Sequence, residues 1–210
     1  MTLLYLVRHG ETDWNRERRI QGSTDIPLNA TGREQAARTA RLLGRRSWDA
    51  ILTSPLSRAA ETASIISGQL GLGEPEVLQD IAERAYGAAE GLGVTELARL
   101  FPDDVPVPGR ESREEVTERA VGALLRVAAQ RAGEHLVLTT HGGVIRAVLN
   151  AIAPSPKHRG VPITNGSIHS FRYANGGLQL VAFDDPIEID SVAPGADDLI
   201  EQNAMESRES

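Results

Sequence analysis

Short uninterrupted apolar runs alternate along this chain with stripes at helical spacing. Leu3 to Val7 is an apolar run ending at Arg8 and a polar, glycine-containing turn, which predicts a strand buried on both faces. Thr31-Gly32-Arg33-Glu34 then has capping-box spacing ahead of Ala36, Ala37, Ala40, Leu42 and Leu43, which predicts a helix from about Gly32 to Leu43. A second strand is expected over Asp49 to Thr53. Ser54-Pro55 sets a cap residue before a proline at the first helical position, and Ala59, Ala60, Ala63, Ile65 and Ile66 carry helical character to about Leu70.

Gly71 to Arg110 holds six glycines and four prolines and is expected to be mostly loop, with one short helix near Val94 to Phe101. Ser112-Arg113-Glu114-Glu115 is a second capping box, and Val116, Ala120, Leu124, Val127 and Ala128 stripe a helix from about Arg113 to Arg131. His135 to Thr140 reads as a third buried strand, followed by His141-Gly142-Gly143 and a helix from about Val144 to Ile152. Ile168 to Tyr173 and Leu178 to Phe183 flank Ala174-Asn175-Gly176-Gly177, a hairpin expected to finish the sheet at one edge. Strands alternating with helices define an α/β protein: a three-layer α/β/α sandwich with a mostly parallel central sheet. Residues 1–185 are read as one catalytic domain with 71–111 as a variable cap, and 186–210 as an acidic tail too polar to form a core.

Composition narrows the partners. The 210 residues are 40 % hydrophobic, enough for a sizeable core, and a net charge of -7 argues against nucleic acid or an anionic membrane as the main partner. A local arginine cluster can still bind a small anion. The chain contains no cysteine, which excludes disulfides, thiolate catalysis and cysteine-ligated metals. The first apolar run is too short for a signal segment or a membrane span, so the expected compartment is the cytoplasm.

Arg8-His9-Gly10 directly follows the first strand and His141-Gly142-Gly143 the third, so both histidines are expected at the carboxyl ends of sheet strands, where open α/β sheets form their crevices. Arg58, on the first turn after the second strand, can reach the same place. A lone loop histidine is ordinarily a bystander; the surrounding pattern changes that. Imidazole attacks phosphorus well, arginines can neutralise the phosphoryl oxygens bidentately, and their charge disfavours protonated His9, keeping a nitrogen lone pair free. Most other polar candidates have an ordinary reading. Arg16, Arg18, Arg19, Arg45, Arg46 and Lys157-His158-Arg159 read as solvated surface, and His135 and His169 as structural. Trp14 is expected beside the nucleophile loop and Trp48 at a helix-to-strand connection.

Leu6-Val7-Arg8-His9-Gly10-Glu11-Thr12-Asp13-Trp14-Asn15 resembles the signature of the histidine phosphatase superfamily, with its phosphoglycerate-mutase-like fold. The resemblance continues through Gln21-Gly22, Asp25-Ile26-Pro27-Leu28, Thr31-Gly32, Thr53-Ser54-Pro55-Leu56-Ser57-Arg58-Ala59, Glu83 and Thr140-His141-Gly142-Gly143, in the family's order over roughly the first 150 residues. It implies that His9 becomes the phosphohistidine, that Arg8, Arg58 and His141 surround the transferring group, that Asn15 binds a phosphoryl oxygen and that Glu83 is the proton donor. Gln21, Gly22 and Gly142 border the substrate in the family, and Arg84 and Tyr86 are expected against its remaining part. Arg110 is equally compatible with a distal anion contact and with plain surface.

The resemblance covers phosphatases and mutases alike. Cofactor-dependent phosphoglycerate mutases carry a longer insertion after the proton donor, whereas about twenty residues separate Gly91 from Ser112 here. Ala85 also stands where the mutases usually show a histidine. A shorter and more open cap is expected to admit water, so the reading is a metal-independent phosphomonoesterase acting on a small phosphorylated metabolite, with no cofactor. The first alternative is a mutase, which alone would need 2,3-bisphosphoglycerate. A non-catalytic phospho-ligand binder is disfavoured because His9, Arg58, Glu83 and His141 are all present. A metal-dependent hydrolase is disfavoured because the sequence offers no histidine pair at helical ligand spacing and no aspartate cluster suited to magnesium. A homodimer remains possible, with no sequence signal deciding it.

Overall fold

The computed structural model describes residues 1–155, 160–185 and 187. The Lys157-His158-Arg159 run and nearly all of the expected acidic tail fall outside these residues. Six strands form one sheet in the order β3-β2-β4-β1-β5-β6. They are β1 (Thr2–Arg8), β2 (Ala50–Thr53), β3 (Glu76–Val77), β4 (His135–Thr140), β5 (Ile168–Ala174) and β6 (Gly177–Ala182). β3, β2, β4 and β1 pair in parallel, and β5 turns antiparallel to β1 before β6 closes the hairpin edge. Helices α1 (Asp13–Arg16), α2 (Ala30–Leu43), α3 (Ser57–Leu70), α4 (Val94–Leu100), α5 (Arg113–Gln130) and α6 (Gly142–Ile152) complete the set, with 3-10 turns at Gln79–Ile81 and Gly87–Ala89.

Period-two alternation decides which helices lie on which face. Leu4 and Leu6 of β1, Leu52 of β2 and Leu136 and Leu138 of β4 join Val116, Ala120 and Leu124 of α5 and Ile145 and Val148 of α6 in one core. Tyr5, Val7, Ile51 and Val137 point the other way, onto Ala40 and Leu43 of α2 and Ala63 and Ile66 of α3. Each such side chain contributes about 1.5–3 kcal/mol when fully buried. The apolar continuity of β1 and β4 is therefore a consequence of being covered on both sides. A third, small cluster of Ile20, Tyr86, Ala89 and Leu97 ties the cap to the body. No helix among the described residues is long and apolar enough to cross a membrane.

Several local expectations are corrected. α2 begins two residues early because Asn29, whose side-chain oxygen accepts from Gly32 N at 2.8 Å, is the cap in place of Thr31. α3 begins at Ser57 after Leu56, which has no capping side chain, and Ser54 Oγ accepts from Leu56 N just ahead of it while also contacting His141. The cap segment holds β3 and both 3-10 turns besides α4, and α1 was not anticipated: Thr12 and Asn15 form its capping box inside the motif that otherwise reads as chemistry. The hairpin turn is tightened to Asn175-Gly176, both at positive φ (54° and 78°), the conformation that Asn-Gly favours.

Leu138→Ala, in the fully buried centre of β4, is expected to lower the unfolding free energy by about 2–5 kcal/mol, whereas Val77→Thr on the edge strand, 58 % exposed, shifts it by less than about 0.5 kcal/mol. Urea denaturation of the two variants checks the contrast.

Candidate active site

The carboxyl ends of β1 and β4 are neighbours in register, Arg8 opposite Thr140, so the turns after them bring His9 and His141 together. Their ring centroids lie 5.1 Å apart. His9 N donates to Thr140 O at 3.0 Å, and Gly10 N donates to Thr62 Oγ1 at 3.1 Å, which ties the loop to β4 and α3. Thr62 Oγ1 in turn donates to Arg58 O at 2.7 Å. Gly10 and Gly32 have to be glycine: a Cβ on Gly10 would stand 2.2 Å from Gly32 O, and one on Gly32 would stand 2.1 Å from Glu11 O.

His9 is 1 % exposed and its Nδ1 lies 2.7 Å from Gly10 O. A carbonyl only accepts, so Nδ1 carries the hydrogen and Nε2 of the neutral ring keeps its lone pair. Burial, then the charges of Arg58 and Arg8, hold the His9 pKa well below its ordinary 6.5, against a weaker pull from the Gly10 carbonyl. Burial, with Arg58, His9, Arg8 and Arg119, does the same for His141. Ser54 Oγ accepts from Leu56 N at 3.3 Å and lies 2.6 Å from His141 Nε2. With the Ser54 proton given to Nε2, the neutral His141 ring presents its hydrogen on Nδ1 as a donor.

Arg8 and Arg58 are buried, and their guanidinium groups are partly engaged by carbonyls. Arg8 donates to Ile163 O, while Arg58 donates to Thr24 O at 2.9 Å and Gly22 O at 2.7 Å. Burial lowers the Arg8 pKa to about 10, relieved by Glu83, so it stays charged at neutral pH. Arg8 Nε, Arg58 Nε, Gln21 Nε2 and His141 Nδ1 are buried and have no protein acceptor. Leaving such donors unpaired is costly, so a ligand rich in acceptor oxygens fits this arrangement. A phosphoryl group, flanked by a neutral imidazole lone pair and two fixed cations, is such a ligand.

Asn15 Oδ1 accepts from Thr12 N at 3.1 Å and from Asn165 Nδ2 at 3.3 Å, an orientation that leaves its NH2 as the donating end. Gln21 Oε1 accepts from Thr12 Oγ1 at 2.9 Å, which orients its own NH2 likewise. Gly22, at φ 56°, turns its carbonyl onto Arg58. Gly142 opens α6 immediately after His141, where backbone N–H groups are left without helical partners.

Glu83 is buried, accepting from Arg84 N at 2.8 Å through Oε1 and from Gly143 N at 3.2 Å through Oε2. It stands so close to α6 that a Cβ on Gly143 would meet its Oε1 at 2.6 Å and the Tyr86 hydroxyl at 3.4 Å. The guanidinium carbons of Arg84 and Arg110 lie 5.5 and 5.9 Å from the Tyr86 ring centroid. Trp14 packs beside Gly91 of the cap and under Arg19, and Trp48 Nε1 closes the α2–β2 connection on Leu43 O at 2.7 Å, the latter as expected. His169 is structural as expected, between Ser167 and the Asp184 amide.

Sequence reasoning missed the residues that hold these groups. Asn165 Nδ2 donates to His9 O at 2.9 Å from a distant loop. Glu90 accepts from the amides and hydroxyls of Ser23 and Thr24 and from Tyr86 N, joining the Arg58-binding turn to the cap. Burial raises the Glu90 pKa, but these hydrogen bonds outweigh it and leave the carboxyl below its ordinary range. His9 and His141 are almost fully covered.

A parallel sheet that sets Arg-His after β1, a helix-borne arginine after β2 and a second histidine after β4 defines a class of phosphate-handling enzymes. The chain belongs to the histidine phosphatase superfamily, branch 1, whose family model matches residues 4–186. It is 41 % identical over 175 residues to the uncharacterized phosphatase PhoE of Bacillus subtilis, covering 83 % of this chain and 90 % of that protein. It is 38 % identical over 185 residues to phosphoglycerate mutase-like protein 4 of Arabidopsis thaliana, 82 % of this chain and 80 % of that one. Among solved structures, a mutant phosphoserine phosphatase of Entamoeba histolytica in complex with phosphoserine matches with a TM-score of 0.75 and 30 % identity, covering 89 % of this chain and 98 % of that one. These relatives support an enzyme with phosphatase activity.

The depressed histidine pKa values fix a sign for stability. Between the folded pKa and the ordinary 6.5, the unfolded chain binds protons that the folded one refuses, so stability falls as pH drops below about 6.5. Each histidine contributes up to about 1.4 kcal/mol per pH unit. Any stability advantage of the parent over His9→Gln should therefore shrink between pH 7.5 and 5.5 in urea denaturation.

Proposed function

We propose that this chain is a metal-independent phosphomonoesterase that forms a phosphohistidine at His9 and acts on a small phosphorylated metabolite. The observation that carries this reading is the His9 ring, bonded through Nδ1, held neutral, and grouped with buried donors that lack protein acceptors. The ester phosphate sits among Arg8, Arg58, His141, Asn15 and Gln21, with the Gly22 turn and the Gly142 end of α6 at its border. The arginines supply the positive charge that the phosphoryl oxygens need. The Glu83 carboxylate takes the proton of the monoanionic ester as it binds; His9 Nε2 then attacks phosphorus, the ester P–O bond breaks, and the leaving oxygen takes that proton from Glu83. Water then attacks the phosphohistidine and gives a proton to the Glu83 carboxylate; the P–N bond breaks, releasing phosphate and neutral His9.

Arg84 and Tyr86 are assigned to the rest of the substrate, which fits the closeness of the Tyr86 hydroxyl to Gly143 and Glu83. The rival reading is a 2,3-bisphosphoglycerate-dependent mutase, kept in view by the mutase-like relative. The short Gly91 to Ser112 segment favours hydrolysis, because departure of the alcohol makes room for water where a mutase would retain its intermediate.

Phosphate release from 4-nitrophenyl phosphate and from an alkyl phosphate, both in EDTA, tests this. The parent is expected to be active with chelator, and His9→Ala to fall by a factor on the order of 10³ or more. Glu83→Gln is expected to slow the alkyl ester about 10²–10⁴-fold and the nitrophenyl ester far less, since nitrophenolate leaves without a proton. Activity unchanged in His9→Ala would sink the mechanism. Isomerisation of 3-phosphoglycerate with bisphosphoglycerate, without phosphate release, would replace it with the mutase reading.

A further inference from the structure

The segment that carries Glu83 has almost no backbone bonding of its own. After the 3-10 turn at Gln79–Ile81, the carbonyls of residues 80 to 83 accept from side chains of other elements. Thr140 Oγ1 of β4 donates to Ile81 O at 2.8 Å. Arg119, on α5, takes the other three: its NH1 donates to Asp80 O at 2.7 Å and Ala82 O at 2.8 Å, and its NH2 to Glu83 O at 3.3 Å. Its remaining two N–H groups form a fork on Glu111, Nε to Oε1 at 2.6 Å and NH2 to Oε2 at 2.9 Å. All five guanidinium donors are thus assigned.

Glu111 closes the other side of the loop. Its carboxylate also accepts from Ala85 N at 3.2 Å, its own amide donates to Ala85 O at 2.9 Å, and its carbonyl accepts from Arg84 Nε at 2.8 Å. The ion pair is bidentate and largely buried, with side chains 23 % and 17 % exposed, unlike an ordinary surface pair. A lysine in place of Arg119 has three donors on a point charge and cannot reproduce the planar fork.

We propose that Arg119 and Glu111 are positioning residues that together hold Glu83 at proton-transfer distance from the leaving oxygen, an inference that rests on the assignment of Glu83 above. A displacement of about 1 Å at such a group costs on the order of 10²-fold in rate. The pair therefore acts on one step, protonation of a poor leaving group, and leaves nucleophilic attack by His9 to the opposite side of the site.

The test is a double-mutant cycle read on two leaving groups. Arg119→Met should lower kcat/KM for an alkyl phosphate by about 10–100-fold and that for 4-nitrophenyl phosphate by less than about threefold. In a Glu83→Gln background it should cause no further loss on the alkyl ester. Arg119→Lys should recover only part of the alkyl activity, and Glu111→Gln serves as the first arm if Arg119→Met does not fold. Equal losses on both esters, or a full additional loss in the Glu83→Gln background, would reduce the pair to fold stabilisation and overturn the proposal. If Glu83→Gln itself leaves the alkyl-to-aryl ratio unchanged, the assignment of Glu83 is at fault and the proposal falls with it.

Discussion

Arg8 and Arg58 are buried like charges, and the rest of the site is arranged around the cost of keeping them there. An ion taken out of water loses several kcal/mol unless dipoles or a counter-ion replace its hydration. Here the replacement is incomplete by construction: carbonyls of Ile163, Gly22 and Thr24 satisfy some guanidinium hydrogens, and Glu83 supplies negative charge nearby. The unsatisfied Nε groups remain for a ligand. A phosphate binding there makes bonds that the folded protein withholds from itself, without having to reorganise the protein.

The same burial selects the chemical state of the histidines. In a buried space already holding two positive charges, a third on His9 or His141 is strongly disfavoured, so both rings stay neutral. Neutrality alone would leave the tautomer open. The Gly10 carbonyl decides it for His9, because a carbonyl only accepts, and Nε2 keeps the lone pair.

Rigidity comes from outside the motif. Thr62 and Asn165 fasten the His9 loop to α3 and to the segment before β5, Glu90 fastens the Gly22–Thr24 turn to the cap, and Arg119 with Glu111 fastens the Glu83 segment to α5. Each of these contacts joins residues far apart in the chain. Polar side chains thus do for the site's loops what ladder hydrogen bonds do for its strands, and His9, Arg58 and Glu83 sit at the junctions.

Much was legible in the order of residues. Uninterrupted apolar runs and helical patterning located β1, β4 and α5 nearly to the residue, because burial on both faces of a sheet and on one stripe of a helix leaves a local imprint. The motif located His9, Arg8, Arg58, Glu83 and His141, since residue type and position relative to strand ends determine which chemistry is possible. The sequence could not reveal that Ser54 also contacts His141, that Asn29 and not Thr31 caps α2, or that Arg119 is fully engaged and not a solvated helix residue. Those outcomes depend on partners brought close only when the sheet closes in the order β3-β2-β4-β1-β5-β6. The sequence by itself determined the elements and the chemical inventory, which are local properties; the tertiary structure decided tautomer, charge state and placement, which depend on distance through space.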